Sequence, residues 1–326
     1  MTRIGIIGSG FIARGVARAL RYHPDSRLSA MLTRRDVSTL AGFEFTDVVT
    51  QSLDELIDKS DLVVECTGDV VDPTARLSRV MQAGKPIITM NSEFHVTTGS
   101  WFVNKGWISE AEGDQPGSLA ALHEEALGMG FKPLVYGNSK GYLNPNPKPE
   151  DMQYWAEKQG ISVKSTTAFT DGTKVQIEQA FVANGLGATI LQQGLLGPRT
   201  ETWQEAAFIL SAKARELGQP VSDYVIATGR PPAVFMVAAH EESEIGPLQY
   251  FKMGPGPDYL LPRDYHLCFL EVPRLIHRAW LAVNRCSQTR RNRRSVWRRL
   301  PSASLKRAST CPMPLAALPY AVRRSG

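Results

Sequence analysis

Scarcity rules out several chemistries before any motif is read. The 326-residue chain has four cysteines, Cys66, Cys268, Cys286 and Cys311, and no Cys-x-x-Cys pair. Cysteines dispersed in this way fit a reducing compartment and oppose a zinc site. The six histidines form no His-x-x-x-His pair. His123-Glu124-Glu125 and His240-Glu241-Glu242 match His-x-Glu, but no downstream Cys-x-x-Cys completes a zinc signature, and solvated acidic runs explain both. No apolar run approaches the ~20 residues of a membrane span. No signal peptide precedes the first apolar segment, which starts at residue 3. These absences predict a cytoplasmic protein with no bound metal, no membrane partner and a small molecule as its substrate.

Acidic residues are missing from one region only. Positions 285–326 hold eleven of the 37 basic residues and no Asp or Glu. The other 26 basic residues face 32 acidic ones, so residues 1–284 carry a net −6 although the whole chain is +5. The basic balance belongs to the tail and gives no reason to expect nucleic-acid binding by the body of the chain. Three readings stay open for the tail itself: an arm for nucleic acid or a membrane surface, a disordered terminus, or a reading-frame change.

Hydrophobic residues make up 43% of the chain and charged residues 21%, enough for two domains with substantial cores. Arg3 to Ile7 reads as a buried strand, Gly8-Ser9-Gly10-Phe11-Ile12-Ala13 follows, and a helix continues to Arg21. This is the G-x-G-x-x-A dinucleotide fingerprint in its strand–turn–helix context. Its glycines let the backbone approach a pyrophosphate at a helix N-terminus, so Gly8, Gly10, Phe11 and Ile12 are cofactor candidates. A strand over Leu28–Leu32 ends at Thr33-Arg34-Arg35, where an NAD enzyme usually has a carboxylate for the ribose 2′-hydroxyl. Two guanidiniums suit a 2′-phosphate instead, which favours NADP(H) through Arg34 and Arg35. Thr67-Gly68 and Thr89-Met90-Asn91 end two further buried strands at the ligand-binding edge of such a sheet.

The alternation of strands and helices predicts an α/β fold: a doubly wound, Rossmann parallel sheet over 1–132, then a mixed α+β substrate domain over 133–265. A helix within 266–284, opened by Pro273, returns to the first domain, and the basic tail follows. Ser52 to Glu55 reads as a capping box, and Asp72-Pro73 as the start of a helix that stops at Gly84. Val163–Phe169, Val234–Ala239 and the stretch around Tyr250-Phe251 read as strands. Helices are expected over Ser118–Met129, Glu150–Lys158, Thr173–Asn184 and Trp203–Leu217.

Asp171-Gly172-Thr173-Lys174 is the strongest catalytic candidate, placed after a strand and opening a helix. Asp171 can cap that helix, and Lys174 lies four residues before Glu178 on one face. A lysine near the cofactor can exchange a proton with a substrate oxygen if burial or a neighbouring cation lowers its pKa. A helix cap followed by a solvated Lys–Glu pair is the plainer alternative. Lys140, in a glycine-flanked loop, is a second candidate, and Asp114-Gln115 could bond substrate hydroxyls.

Ile4 to Ile12, the strand end Val64-Glu65-Cys66-Thr67-Gly68 and the strand end Ile88 to Asn91 resemble homoserine dehydrogenase. Gly113-Asp114-Gln115-Pro116, Asp171 to Lys174 and Val182-Ala183-Asn184 resemble its divergent branch, which includes reductoisomerase-like proteins related to those acting on deoxyxylulose phosphate. The resemblance covers about residues 3–283. It implies NADP(H)-dependent carbonyl reduction or alcohol oxidation of a small, in some members phosphorylated, substrate, with Lys174 as acid–base residue and Asp171 nearby. Ser92 stands where homoserine dehydrogenases follow Thr-Ala-Asn with lysine, and the tail replaces the small C-terminal domain usual in the branch. Homoserine dehydrogenase proper and a non-catalytic NADP-binding regulatory protein are the alternatives; a homo-oligomer is compatible with either.

Overall fold

The computed structural model describes residues 1–36, 44–229 and 231–280. The tail at 285–326, and with it every reading of that tail, lies outside these residues. The chain opens with β1 (Thr2–Ile7), α1 (Phe11–Ala19), β2 (Ser26–Leu32), β3 (Val49–Thr50) and α2 (Leu53–Lys59). It continues through β4 (Leu62–Glu65), α3 (Val71–Gln82), β5 (Ile87–Thr89), α4 (Ser92–Thr97) and β6 (Ile108–Glu110). The six strands run parallel in the order β3-β2-β1-β4-β5-β6. This is the doubly wound arrangement, whose ligands bind outside the carboxyl ends of the strands where the order reverses. All four residues of β4 are buried, as expected for a strand covered by helices on both faces.

A second unit follows with α5 (Gln115–Gly128), β7 (Lys132–Lys140), α6 (Pro149–Gln159), α7 (Val163–Thr170) and α8 (Thr173–Leu186). It is completed by α9 (Trp203–Leu217), β8 (Val221–Ile226), β9 (Ala233–Ala239), α10 (Ile245–Tyr250) and β10 (Asp258–Arg263). Its sheet has the order β10-β9-β7-β8, with β7 and β8 parallel and the other pairings antiparallel. Along β9 the pleat divides two cores. Val234, Met236 and Ala238 pack with Leu119 and Leu122 of α5 and Val182 of α8, while Phe235 and Val237 pack with Ala206 and Leu210 of α9. Although α5 precedes residue 132, its apolar face therefore serves the second sheet.

The chain then re-enters the first unit. The helix α11 (272–280) sets Val272, Leu275, Ile276 and Ala279 among Ile4, Ile6, Val16 and Leu20 of β1 and α1.

Four sequence expectations need correction. Val163–Phe169 is the helix α7, not a strand. Ser162 Oγ accepts from Ser165 N at 3.1 Å, and the hydroxyls of Thr166, Thr167 and Thr170 donate to the carbonyls of Ser162, Val163 and Thr166. Threonine rotamers permit this back-bonding, which outweighs β-propensity. For the same reason Asp171 follows a helix. The stretch up to Tyr250 is the helix α10, whose Pro247 suits a first turn and lacks a donor for a sheet ladder. Finally, α3 begins at Val71 rather than at an Asp72 cap: Asp69 Oδ1 accepts from the amides of Val70 and Val71 at 2.6 and 3.1 Å, and Asp72 pairs with Arg76.

Candidate active site at the carboxyl edge of the parallel sheet

The fingerprint turn follows β1 directly. Gly8 has φ +120°, and a Cβ there would stand 2.9 Å from the Cys66 carbonyl, so the turn requires glycine. A Cβ on Gly10 would meet nothing within 4 Å. Gly10 is the N-cap of α1 and has no side-chain partner, which leaves an open surface over the first amides of the helix. That combination fits the pyrophosphate of a dinucleotide. Phe11 is half exposed beside this turn, with its ring edge-on to Phe269 at 5.6 Å.

At the end of β2 the hydroxyls of Ser9 and Thr33 bond at 2.8 Å and tie the fingerprint to the next strand. Arg34 and Arg35 are exposed just beyond it. The Arg34 guanidinium stands 3.9 and 3.7 Å from the carboxylates of Asp69 and Asp72. Thr67 and Asn91 are partly or fully committed to structure. Thr67 donates through N and Oγ1 to Glu65 at 2.6 and 2.5 Å, and Thr89 Oγ1 donates to the same carboxylate at 2.7 Å. Asn91 accepts from Phe94 N at 3.1 Å and so caps α4. Gly68 has φ +68° and open space where a Cβ would be. Glu65, absent from the sequence candidates, therefore fastens together the two loops that face the ligand edge, and burial raises its pKa.

The catalytic candidates converge beyond β5 and β6. Lys174 Nζ lies 3.1 Å from Glu93 Oε2, 3.7 Å from Glu178 Oε1 and 3.9 Å from Asp114 Oδ2. Lys140 is the last residue of β7, paired with Ile226, rather than a loop residue, and its Nζ lies 3.7 Å from the other Glu178 oxygen and 3.1 Å from Gln115 Oε1. Asn138 donates to Gln115 Oε1 and approaches Glu178 at 3.5 Å. Gln115 Nε2 reaches His266 Nε2 at 3.2 Å, while His266 Nδ1 donates to the Gly113 carbonyl at 3.1 Å. Lys174 and Glu178 are thus one turn apart on α8 yet buried, at 8% and 3% exposure, and are no solvated pair. Asp171 stands outside the cluster and spends its carboxylate on the amide of Thr173 at 2.8 Å.

The two lysines are electrostatically unlike. Burial works against both ammonium groups. At Lys174, Asp114, Glu178, Glu93 and Glu110 outweigh burial and raise the pKa above the ordinary lysine value. At Lys140 burial prevails over Glu178 and Asp114, and the pKa falls. Burial also lifts Glu178 to about 7 against the pull of both lysines. Asp114 behaves in the opposite way. Burial would raise it, but the Lys174 ammonium and hydrogen bonds from Glu110 and from Ser92 Oγ, the latter at 2.8 Å, hold it below the usual range. Glu110 is pushed well up by burial and by Asp114, so it is the protonated member of that pair.

Glu93, Asn138, Glu110 and His266 escaped sequence reasoning because no short motif joins them. Among the described residues no group of His, Cys, Asp and Glu could hold a metal ion, and no helix is long and apolar enough to cross a membrane.

The parallel sheet thus carries a glycine turn of the dinucleotide-binding type, and a buried Lys–Glu–Lys cluster lies beyond its carboxyl edge. Two family models match accordingly. Residues 8–99 match the NAD-binding domain of homoserine dehydrogenase, and residues 113–272 match the catalytic domain of oxidoreductase DRL. The chain thus carries one segment similar to an NAD-binding domain and one similar to an oxidoreductase catalytic domain. Over 71 residues it is 37% and 35% identical to the meso-diaminopimelate D-dehydrogenases of Ureibacillus thermosphaericus and Lysinibacillus sphaericus, a stretch that spans 22% of this chain and 22% of each relative. Among solved structures, a probable dehydrogenase from Thermotoga maritima superposes with a TM-score of 0.44 at 14% identity, covering 82% of this chain and 85% of that one.

Proposed function

We propose that the chain reduces a small oxo compound, or oxidises the corresponding hydroxy compound, using NADP(H). The observation that carries this reading is the convergence of Lys140, Lys174 and Glu178 in one buried cluster beyond β5 and β6. Gly8 and Gly10, with Phe11 and Ile12 at the start of α1, would hold the dinucleotide, and Arg34 and Arg35 favour a 2′-phosphate. When bound, the nicotinamide supplies or accepts the hydride.

The protein's part is to manage the substrate oxygen. Lys174 remains an ammonium at working pH and polarises and orients that oxygen. Lys140, whose proton is held less firmly, transfers it to or from the oxygen. Glu178, titrating near neutrality 3.7 Å away, exchanges that proton onward. The assignment thus moves the proton-transfer role from Lys174 to Lys140. Two lysines matched by Glu93, Asp114 and Glu178 leave no surplus cation in the cluster for a substrate phosphate, which supports an unphosphorylated reacting end. A purely regulatory nucleotide-binding protein has no use for such a cluster, since burying charges costs several kcal/mol per ion before pairing offsets it.

The test is NADPH consumption, followed by absorbance, across a panel of oxo acids, amino-acid semialdehydes and simple sugars. On a reactive substrate, Lys140→Met should lower kcat by about 10²–10⁴-fold with cofactor affinity retained. Wild-type turnover by that variant rejects the assignment. Tight NADPH binding with no turnover across the panel favours the regulatory reading.

A further inference from the structure

Lys140 Nζ has two neighbours that bear on proton transfer, the Glu178 carboxyl and the Gln115 amide oxygen. Gln115 is the first residue of α5 and is buried. An amide side chain offers an acceptor at one end and a donor at the other, so its partners decide which end points where. The oxygen faces two donors, the Lys140 ammonium at 3.1 Å and Asn138 Nδ2. The nitrogen must then find an acceptor, and it stands 3.2 Å from His266 Nε2. That ring nitrogen accepts only when bare, so the ring proton sits on Nδ1. Nδ1 in turn lies 3.1 Å from the Gly113 carbonyl, which can only accept. One consistent chain of donors and acceptors therefore runs from Lys140 through Gln115 and His266 to Gly113. His266 is held from outside the cluster. Its backbone amide donates to the Pro232 carbonyl at 3.2 Å, and the next residue, Leu267, donates to Glu271, which pairs with Arg263.

We propose that His266 is a positioning residue for Lys140, acting through Gln115 in its neutral, Nδ1-protonated form. This role rests on the reading of Lys140 as the residue that transfers the proton. Held by His266, the Gln115 amide keeps its oxygen toward Lys140 and steers the ammonium to one place beside Glu178. An imidazolium would set its Nε2–H against the Gln115 amino group. The amide would then have to turn, and its nitrogen would face the Lys140 ammonium and the Asn138 amino group, donors without an acceptor. The surroundings keep the ring neutral. Burial lowers its pKa and Lys140 adds to this, while the Gly113 carbonyl, Asp114 and Glu271 pull the other way without reversing it. Displacing a reacting group by about 1 Å can cost about 10²-fold in rate, so the arrangement bears on kcat more than on binding.

Two measurements on the full chain need no substrate. With nitrogen-labelled histidine, long-range proton–nitrogen correlation spectra near neutral pH should show His266 Nδ1 protonated and Nε2 bare. A proton on Nε2, alone or in an imidazolium, overturns the proposal. Competitive acetylation of the lysines, read by mass spectrometry across pH, follows the titration of Lys140. His266→Asn keeps a donor for Gly113 and removes the acceptor for Gln115, whereas His266→Gln restores an acceptor at the Nε2 position. The Lys140 pKa should fall by about 0.5–1 unit in His266→Asn, whose ammonium partner is no longer held, and stay within about 0.2 unit of the parent in His266→Gln. Equal shifts in both variants, or none in either, refute the role. On a reactive substrate, His266→Asn should lower kcat about 10–100-fold with KM within about threefold, and His266→Gln should recover most of the loss; a change confined to KM refutes it too. Should His266→Asn fail to fold by circular dichroism, the ring proton of the unaltered protein and the His266→Gln titration decide. Lys140→Met separates the two readings: full turnover by that variant overturns proton transfer by Lys140, while a failed ring-proton or titration result overturns the His266 role and leaves Lys140 standing.

Discussion

Replacing Glu178 by glutamine should stabilise the protein, and increasingly so as pH rises. The side chain is 3% exposed on α8, between two lysines, and still titrates near 7 rather than at the ordinary 4.5. Its folded pKa is raised, so the folded state holds the proton more firmly than the unfolded chain does. The cost of ionising it is absent below about 4.5, grows between 4.5 and 7, and is constant above. A separation of about 2.5 pKa units corresponds to about 3 kcal/mol at pH 8.5 and about 1 kcal/mol at pH 5.5. Glutamine keeps the shape of the protonated acid and cannot ionise. Urea unfolding of both proteins at the two pH values should therefore show a gain for Glu178→Gln of about 1 kcal/mol at the lower pH and about 3 kcal/mol at the higher. The same substitution should abolish the neutral limb of the pH–rate profile. A variant destabilised at pH 8.5, or a gain that does not grow with pH, would show that the lysines hold Glu178 as a carboxylate throughout and refute its role as proton exchanger.

Three further outcomes follow from the same geometry. Gly10→Ala should fold with stability within about 1 kcal/mol of the parent, because its methyl meets nothing, yet weaken dinucleotide binding at least about tenfold; Gly15→Ala, whose methyl would meet the Phe269 ring at 2.3 Å, should show the reverse order of effects in melting and binding assays. Arg34→Ala should cost about 10–100-fold in NADPH affinity and leave NADH affinity nearly unchanged by calorimetry, whereas an equal loss for both would assign Arg34 to its contacts with Asp69 and Asp72. Lys174→Met should lower stability by about 3–5 kcal/mol at neutral pH, because Asp114 and Glu93 lose their cation, and unfolding that matches the parent would contradict the ion-pair network described above.

Where local chemistry decides conformation, the sequence was readable. Gly8 and Gly10 sit in a turn that the spacing alone demands, and α9 follows its capping residue Thr202 and ends at Gly218 in the left-handed region. Local chemistry also explains the errors. Three threonines in α7 bond back to their own helix, a choice that β-propensity does not anticipate. The candidate site was half legible. Lys174 and Glu178 share a helix turn, so their proximity could be read from spacing. Lys140 joins them only because β7 runs parallel to β8 and antiparallel to β9, which carries its end to the start of α8. Glu93 and Asp114 enter from the other unit, after β5 and β6, and their partners are set by how the two units meet. The difference between the lysines is a matter of burial and neighbours, and spacing carries no trace of it.

The return of α11 to the first core has a consequence for how the molecule is made. Val272, Leu275, Ile276 and Ala279 fill the space beside Ile4, Val16 and Leu20. During synthesis the opening strand and helix are translated first and completed last. Everything that forms the second sheet emerges in between and can close its own core of local partners meanwhile. A nascent chain that has reached only β10 thus presents a finished second unit and a first unit with one apolar face open to solvent, the stage at which a chaperone would find most to hold. Chain arrest at that point should give a species rich in exposed apolar surface, and release through residue 280 should remove it.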